Sequence, residues 1–123
     1  MLAHAGSMDT HSQTLSRLEA TIRQRLTASP ETSYVAKLGQ RGLPVIARKL
    51  GEEATEAVVA ALAGDENELV GESADVLFHL MVLLAHKGIA FETVLAELER
   101  RALRRAGKPV RASGRHHIQQ HLL

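Results

Sequence analysis

EAVVAALAGDENELVGESADVLFHLMVLLA, residues 56–85, sets two apolar stretches on either side of Gly64-Asp65. A glycine at that point ends one helix. Asp65 followed by Glu68 has the spacing of a capping box, so the next helix starts at once. A link this short folds the two helices back antiparallel. The upstream helix is expected from Pro44, a residue suited to a first helical turn, to about Ala63. The downstream one runs to Lys87 and stops at Gly88. Further out, Leu15, Leu18, Ile22 and Leu26 recur at helical spacing and predict an amphipathic helix from Thr10 to Thr27, stopped by Ser29-Pro30. The segment ETSYVAKLGQRG, 31–42, with two glycines, reads as a loop or broken helix. A last helix is expected over Glu92–Arg105.

Composition agrees with packed helices. The chain has 123 residues, 45% of them hydrophobic but only 2% aromatic. An aliphatic core of that kind favours an all-α bundle over a sandwich of aromatic and β-branched strands. The absence of cysteine removes disulfides, thiolate metal sites and cysteine nucleophiles and is compatible with a cytoplasmic protein. A net charge of +1 offers no general attraction to nucleic acid or an anionic membrane. The longest apolar run, 76–85, is ten residues interrupted by His79, against about 20 needed to span a bilayer, and reads as a buried core helix. The start, MLAHAGSM, lacks the pattern of a signal peptide. Residues 1–9 are read as an N-terminal extension, in part foreign to the natural chain, with Met8 as the expected natural start. Residues 10–106 form the helical domain and 107–123 a basic tail.

The acidic residues carry the chemistry. At about 100° per residue, Lys49, Glu52, Glu53 and Glu56 share one helix face, while Ile46, Leu50, Ala54, Ala57 and Ala61 form a separate apolar stripe. On the partner helix Glu72, Asp75 and His79 share a narrow stripe amid apolar neighbours, which places the carboxylates at or near the core. Glu53-x-x-Glu56, fifteen intervening residues, then Glu72-x-x-Asp75 presents paired carboxylates from two antiparallel helices. Facing carboxylates that lose hydration take up protons or bind a cation. Four hard oxygen donors suit Mg²⁺ or Mn²⁺ rather than zinc or copper.

The blocks SYVAKL, RKLGEEATEAV, ESADVLFHLMVLLAHKGI and VLAELERR, in that order over about residues 10–105, resemble the phosphoribosyl-ATP pyrophosphohydrolase family of histidine biosynthesis. That family is one of the MazG-like all-α nucleotide pyrophosphatases, with the signature ExxE then ExxD. The resemblance implies a dimeric helical enzyme that hydrolyses phosphoribosyl-ATP to phosphoribosyl-AMP and pyrophosphate with Mg²⁺. It makes Glu53, Glu56, Glu72 and Asp75 the metal ligands, with Glu52 an additional ligand or, like Glu53, a group acting on the attacking water. Ser33, Tyr34, Lys37 and Lys49 become the residues that grip the phosphates or the ribose. The sequence departs from the family at Gly39, where a bulkier residue is common, and in its tail.

Two other functions fit the same residues: a housecleaning hydrolase of free nucleoside triphosphates, and a non-enzymatic helical dimerisation module with surface carboxylates. His79 reads either as a satisfied core histidine or as a contact to metal or phosphate. Lys49 reads either as a phosphate contact or as an ion-pair partner of its own glutamates. The arginines from Arg100 onward lack interleaved aromatics and read as a solvated face rather than a nucleic-acid site. The tail histidines His116, His117 and His121 are given no role.

Overall fold

The computed structural model describes residues 2–107, and every regular element among them is helical: α1 (Leu2–Leu26), α2 (Tyr34–Arg41), α3 (Leu43–Ala63), α4 (Glu66–His86) and α5 (Phe91–Gly107). The chain divides into two compact units at residues 89 and 90, so α1–α4 form one and α5 belongs to the other. The tail from residue 108, with its histidines, lies outside the described residues. Helix α1 begins at Leu2, earlier than the expected Thr10.

The hairpin forms as its linker predicts. Gly64 caps α3 through its N–H to the carbonyl of Ala60, and the Asp65 carboxylate accepts from the backbone N–H of Glu68 at 2.8 Å. At its other end α4 closes in a Schellman motif. Gly88 has φ +73°, its N–H donates to the Ala85 carbonyl, and Ile89 N–H donates to the Leu84 carbonyl. Helices α3 and α4 pack along each other, α4 also meets α1, and α2 sits against α1 and α3. Ile22, Ile46, Met81 and Val82 are the fully buried large side chains of this unit.

Three expectations need correction. Residues 34–41 are a continuous helix rather than a loop or a broken one. Ser33 caps it, accepting from the Ala36 N–H at 3.3 Å, and Val35, Ala36 and Leu38 are its buried residues. The glycines that look like breakers have specific tasks. A Cβ on Gly39 would sit 3.2 Å from the Leu26 side chain and 3.3 Å from its carbonyl, so glycine allows α2 to approach the end of α1. Gly42, at φ +92°, joins α2 to α3.

Second, the covered row of α3 keeps Ile46, Leu50 and Ala57 of the expected apolar stripe but departs from it at Ala54 and Ala61. Ala54 and Ala61 are exposed, while Ile46, Leu50, Glu53, Ala57 and Ala60 are wholly or partly covered. Their spacing of four, three, four and three is that of a coiled-coil seam, and it counts Glu53 among the packed positions.

Third, α4 is only partly covered within one chain. By length and composition the whole helix would suffice to cross a membrane, although its central apolar run is shorter, and just 17% of its most apolar window is buried. Its first half is covered along Leu69, Glu72 and Val76, residues 78–85 are all wholly or partly covered, and Val70, Leu77 and Asp75 are exposed. Asp75 is therefore at the rim, not the core.

Helix α5 carries an acidic anchor for its own arginines. Glu97 accepts from Arg100 and Arg101, and those bonds hold its carboxyl down at about 2. Both cations are thus engaged within the helix.

Ile46 tests the packing of the first unit. Ile46→Ala removes a side chain that is 1% exposed and should cost about 2–5 kcal/mol by transfer and cavity terms together, read as a lower denaturant midpoint at equal slope. A cost below about 1 kcal/mol would mean that α3 is not seated as described.

Candidate functional site

The hairpin brings three carboxylates together. Oxygens of Glu53, Glu56 and Glu72 lie within 4.8 Å of one another, a grouping that can hold a metal ion. Glu53 and Glu56 come from successive turns of α3, and Glu72 faces them from the first half of α4. The Glu53 side chain is only 12% exposed. Among the described residues, Glu72 Oε2 is a buried side-chain oxygen with no hydrogen-bond partner. An ionised oxygen in that position has lost water and gained nothing in exchange. A cation held by the three groups would remove both the repulsion and the unmet acceptor.

The electrostatics agree. Burial raises the Glu53 carboxyl above its ordinary range, and the neighbouring charge of Glu56 adds to this, against the pull of His79 and Lys49. Glu72 is raised first by burial and then by Glu56, Glu53 and Asp75. Asp75 is outside the close group but near enough for its charge to act on both.

The remaining expected residues separate into two sets. Lys49 and Tyr34 stand beside the carboxylates. Lys49 Nζ lies 3.5 Å from Glu52 Oε1 and 3.9 Å from Glu53 Oε1, so it pairs with its own helix while bordering the acidic group. Tyr34 is raised by burial and feels the charges of Lys49, Glu53 and Asp75. Glu52 points to the cations of α3, with Arg48 at 3.6 Å, and is half exposed. Ser33 is buried and its hydroxyl caps α2, while Lys37 is exposed. An open groove runs along α3 from Arg48 past Gly51 to Glu56 and leads to the carboxylates.

A link not legible from the sequence joins α2 to α4. His79, 5% exposed, has Nδ1 2.7 Å from the carbonyl of Asp75 and Nε2 2.9 Å from the Tyr34 hydroxyl. The Tyr34 ring stacks on Phe78 at 6.2 Å and meets His79 edge-on at 5.8 Å. The histidine is thus satisfied inside the protein, one of the two roles its position allowed. Its helical stripe with Glu72 and Asp75 was visible in the sequence, but its tyrosine partner lies 45 residues away.

The profile of the phosphoribosyl-ATP pyrophosphohydrolase family matches residues 15–102. The chain belongs to this family. Similar proteins named phosphoribosyl-ATP pyrophosphatase include that of Novosphingobium aromaticivorans, 62% identical over 91 residues, which span 74% of this chain and 85% of the relative. That of Erythrobacter litoralis is 60% identical over 88 residues, 72% of this chain and 85% of its own. The Zymomonas mobilis protein is 54% identical over 89 residues, 72% and 83% of the two chains. The stretch matched by the pyrophosphohydrolase family profile contains the whole carboxylate group, Tyr34 and His79.

The raised carboxyls give a signed prediction. For a group whose folded pKa exceeds its unfolded value, the stabilising contribution is present below the unfolded value and lost as pH rises through the folded one. Metal-free protein should therefore lose stability as pH climbs above 4.5, the ordinary glutamate value, through the raised range of Glu53 and Glu72. A divalent ion that binds only the native state should restore it. The rise in Tm on adding Mg²⁺ should be large well above that range and small near 4.5. Equal shifts at both, or none beyond matched ionic strength, would exclude a metal at these carboxylates.

Proposed function

We propose that the protein is a soluble, cytoplasmic, Mg²⁺-dependent enzyme that hydrolyses phosphoribosyl-ATP to phosphoribosyl-AMP and pyrophosphate, as a homodimer. The observation that carries this reading is the convergence of Glu53, Glu56 and Glu72 around an unpartnered buried oxygen, in a chain of the pyrophosphohydrolase family.

Glu53, Glu56 and Glu72 would hold the ion, with Asp75 joining from the rim; Mn²⁺ suits the same oxygens. When bound, such an ion supplies positive charge for the phosphoryl oxygens and polarises water. The protein's own groups do the rest. Glu53 and Glu52 are the carboxylates placed to accept the proton of the attacking water, and the half-exposed Glu52 is free of the crowded group. Lys49 borders the carboxylates on the groove side and offers its ammonium to the phosphate chain, as exposed Lys37 does from α2. Tyr34 contacts the phosphates or the ribose, and Ser33 fixes the helix start on which Tyr34 stands. Catalysis is then mostly positioning and charge neutralisation, as expected for cleavage of a phosphoanhydride.

The dimer reading is supported by apolar side chains left open at the hairpin. Val58, Val59 and Leu62 of α3 are 58%, 57% and 83% exposed, and Val70 and Leu77 of α4 are 62% and 44% exposed. Clustered apolar exposure of this kind marks association surfaces. Light scattering at micromolar concentration should give twice the chain mass, and Leu62→Glu should shift it toward the monomer. A wild-type monomer would count against the dimer.

Turnover tests the chemistry. Glu72→Gln and Asp75→Asn keep shape but weaken the hold on a hard cation, and should lower pyrophosphate release from phosphoribosyl-ATP by roughly 100-fold or more. Glu19→Gln, on α1, should not. Circular dichroism checks that each variant is folded, and a panel of free nucleoside triphosphates separates this activity from general nucleotide housecleaning. Retention of wild-type turnover by Glu72→Gln would refute the site.

A further inference from the structure

The ring of His79 is buried, makes two hydrogen bonds and coordinates nothing in the carboxylate group. Its Nδ1 faces the backbone carbonyl of Asp75 at 2.7 Å. A carbonyl oxygen can only accept, so Nδ1 carries a proton. In the neutral ring Nε2 is then a bare acceptor, and it lies 2.9 Å from the Tyr34 oxygen. The phenol has one proton, and that proton goes to Nε2. What remains on the Tyr34 oxygen is acceptor capacity.

That assignment decides which part of a nucleotide the tyrosine can meet. A phosphate oxygen brings lone pairs and no proton, so it and the Tyr34 oxygen would face each other with nothing between. A sugar hydroxyl brings a proton. The ring is held for the purpose from three sides: Phe78 against its face, His79 against its edge, and the Ser33 cap beneath its backbone. Tyr34 nevertheless remains 47% exposed, beside Lys49 and the carboxylates. Lys49 is also a donor, but its ammonium is shared between Glu52, Glu53 and the phosphate chain it borders.

We propose that His79 is a positioning residue that commits the Tyr34 proton inward, leaving the phenol oxygen as an acceptor for a sugar hydroxyl of the nucleotide substrate rather than a donor to its phosphates. The proposal rests on the reading of this site as nucleotide-hydrolysing, and it deepens that reading by giving the tyrosine one chemical partner.

The test has a part that needs no substrate. The chain has seven histidines, and the ring signals missing in His79→Gln identify His79 in the ¹⁵N spectrum of the wild type. A neutral ring protonated at Nδ1 is expected. Protonation at Nε2, or at both nitrogens, overturns the proposal, because the phenol proton would then be free for a phosphate. Tyr34 is the single tyrosine in a chain without tryptophan, so its emission reports the bond in each variant and should change in His79→Leu but less in His79→Gln, whose side-chain carbonyl can still accept.

The kinetic part reads KM against kcat. Loss of one hydrogen bond of about 1.4 kcal/mol is roughly tenfold. Tyr34→Phe should raise KM for phosphoribosyl-ATP by about that factor, with much the smaller effect on kcat. His79→Leu should do the same, the double variant should be no worse than either single one, and His79→Gln should recover most of the loss. An analogue lacking the relevant sugar hydroxyl should bind wild type and Tyr34→Phe alike. Multiplying losses in the double variant, or an effect of Tyr34→Phe on kcat alone, overturn the proposal. Failure of the wild type to hydrolyse phosphoribosyl-ATP at all would instead refute the functional reading, while the ring spectrum and tyrosine emission still judge the His79–Tyr34 bond.

Discussion

The α3–α4 seam sets the terms for everything else in this protein. Its covered rows follow the spacing of a helical coil, yet Glu53 and Glu72 occupy positions where such packing normally takes leucine or alanine. A carboxylate there loses hydration and meets its neighbours at close range. Both groups are consequently raised, by burial first and by the charge of Glu56 second. The hairpin therefore stores an electrostatic cost that a cation can relieve, and stability and ligand binding become linked through the same three side chains.

The capping devices around the seam exist to keep its register. Gly64 and Asp65 reverse the chain in two residues, which decides that Glu72 returns opposite Glu56 and Glu53 rather than a turn away. A one-turn slip would displace Glu72 by about 5.4 Å, more than the spread of the acidic group. At the other end of α4 the Schellman motif at Gly88 ends the helix cleanly. Helix α2 contributes from outside the hairpin: its cap residue Ser33 sets the helix start, and its first residue Tyr34 reaches α4 through His79.

The open apolar side chains are the counterpart of the polar seam. A row of α3 and α4 that gives positions to carboxylates has less apolar area with which to hold the hairpin together, and Val58, Val59, Leu62 and Val70 remain uncovered within the chain. At about 25 cal/mol per Å² of apolar surface, covering such residues by a second copy would return stability that the acidic seam forgoes. The same arrangement explains why α4 is long and apolar enough to cross a membrane while bearing glutamate and aspartate along one side.

The sequence by itself determined the helical class, the hairpin and the spacing of the four acidic residues along it, because each rests on local rules: 3.6-residue periodicity, glycine and proline as stops, and the pattern of ExxE and ExxD. It also marked the family through four blocks in order, and the family profile over residues 15–102 agrees. Helix α2 was hidden because Gly39 and Gly42 look like breakers until Leu26 is seen packed against the first. Wheel geometry put Glu53 on a polar face apart from the alanine stripe, since a wheel counts residue types and not neighbours. Only the tertiary structure decided that Glu53 joins Ile46, Leu50, Ala57 and Ala60 in the packed row, that Asp75 stands at the rim while Glu53, Glu56 and Glu72 converge, and that Tyr34 meets His79 across 45 residues. Those outcomes depend on how helices rotate about their axes when they meet, and that rotation is settled by packing between distant segments rather than by any run of sequence.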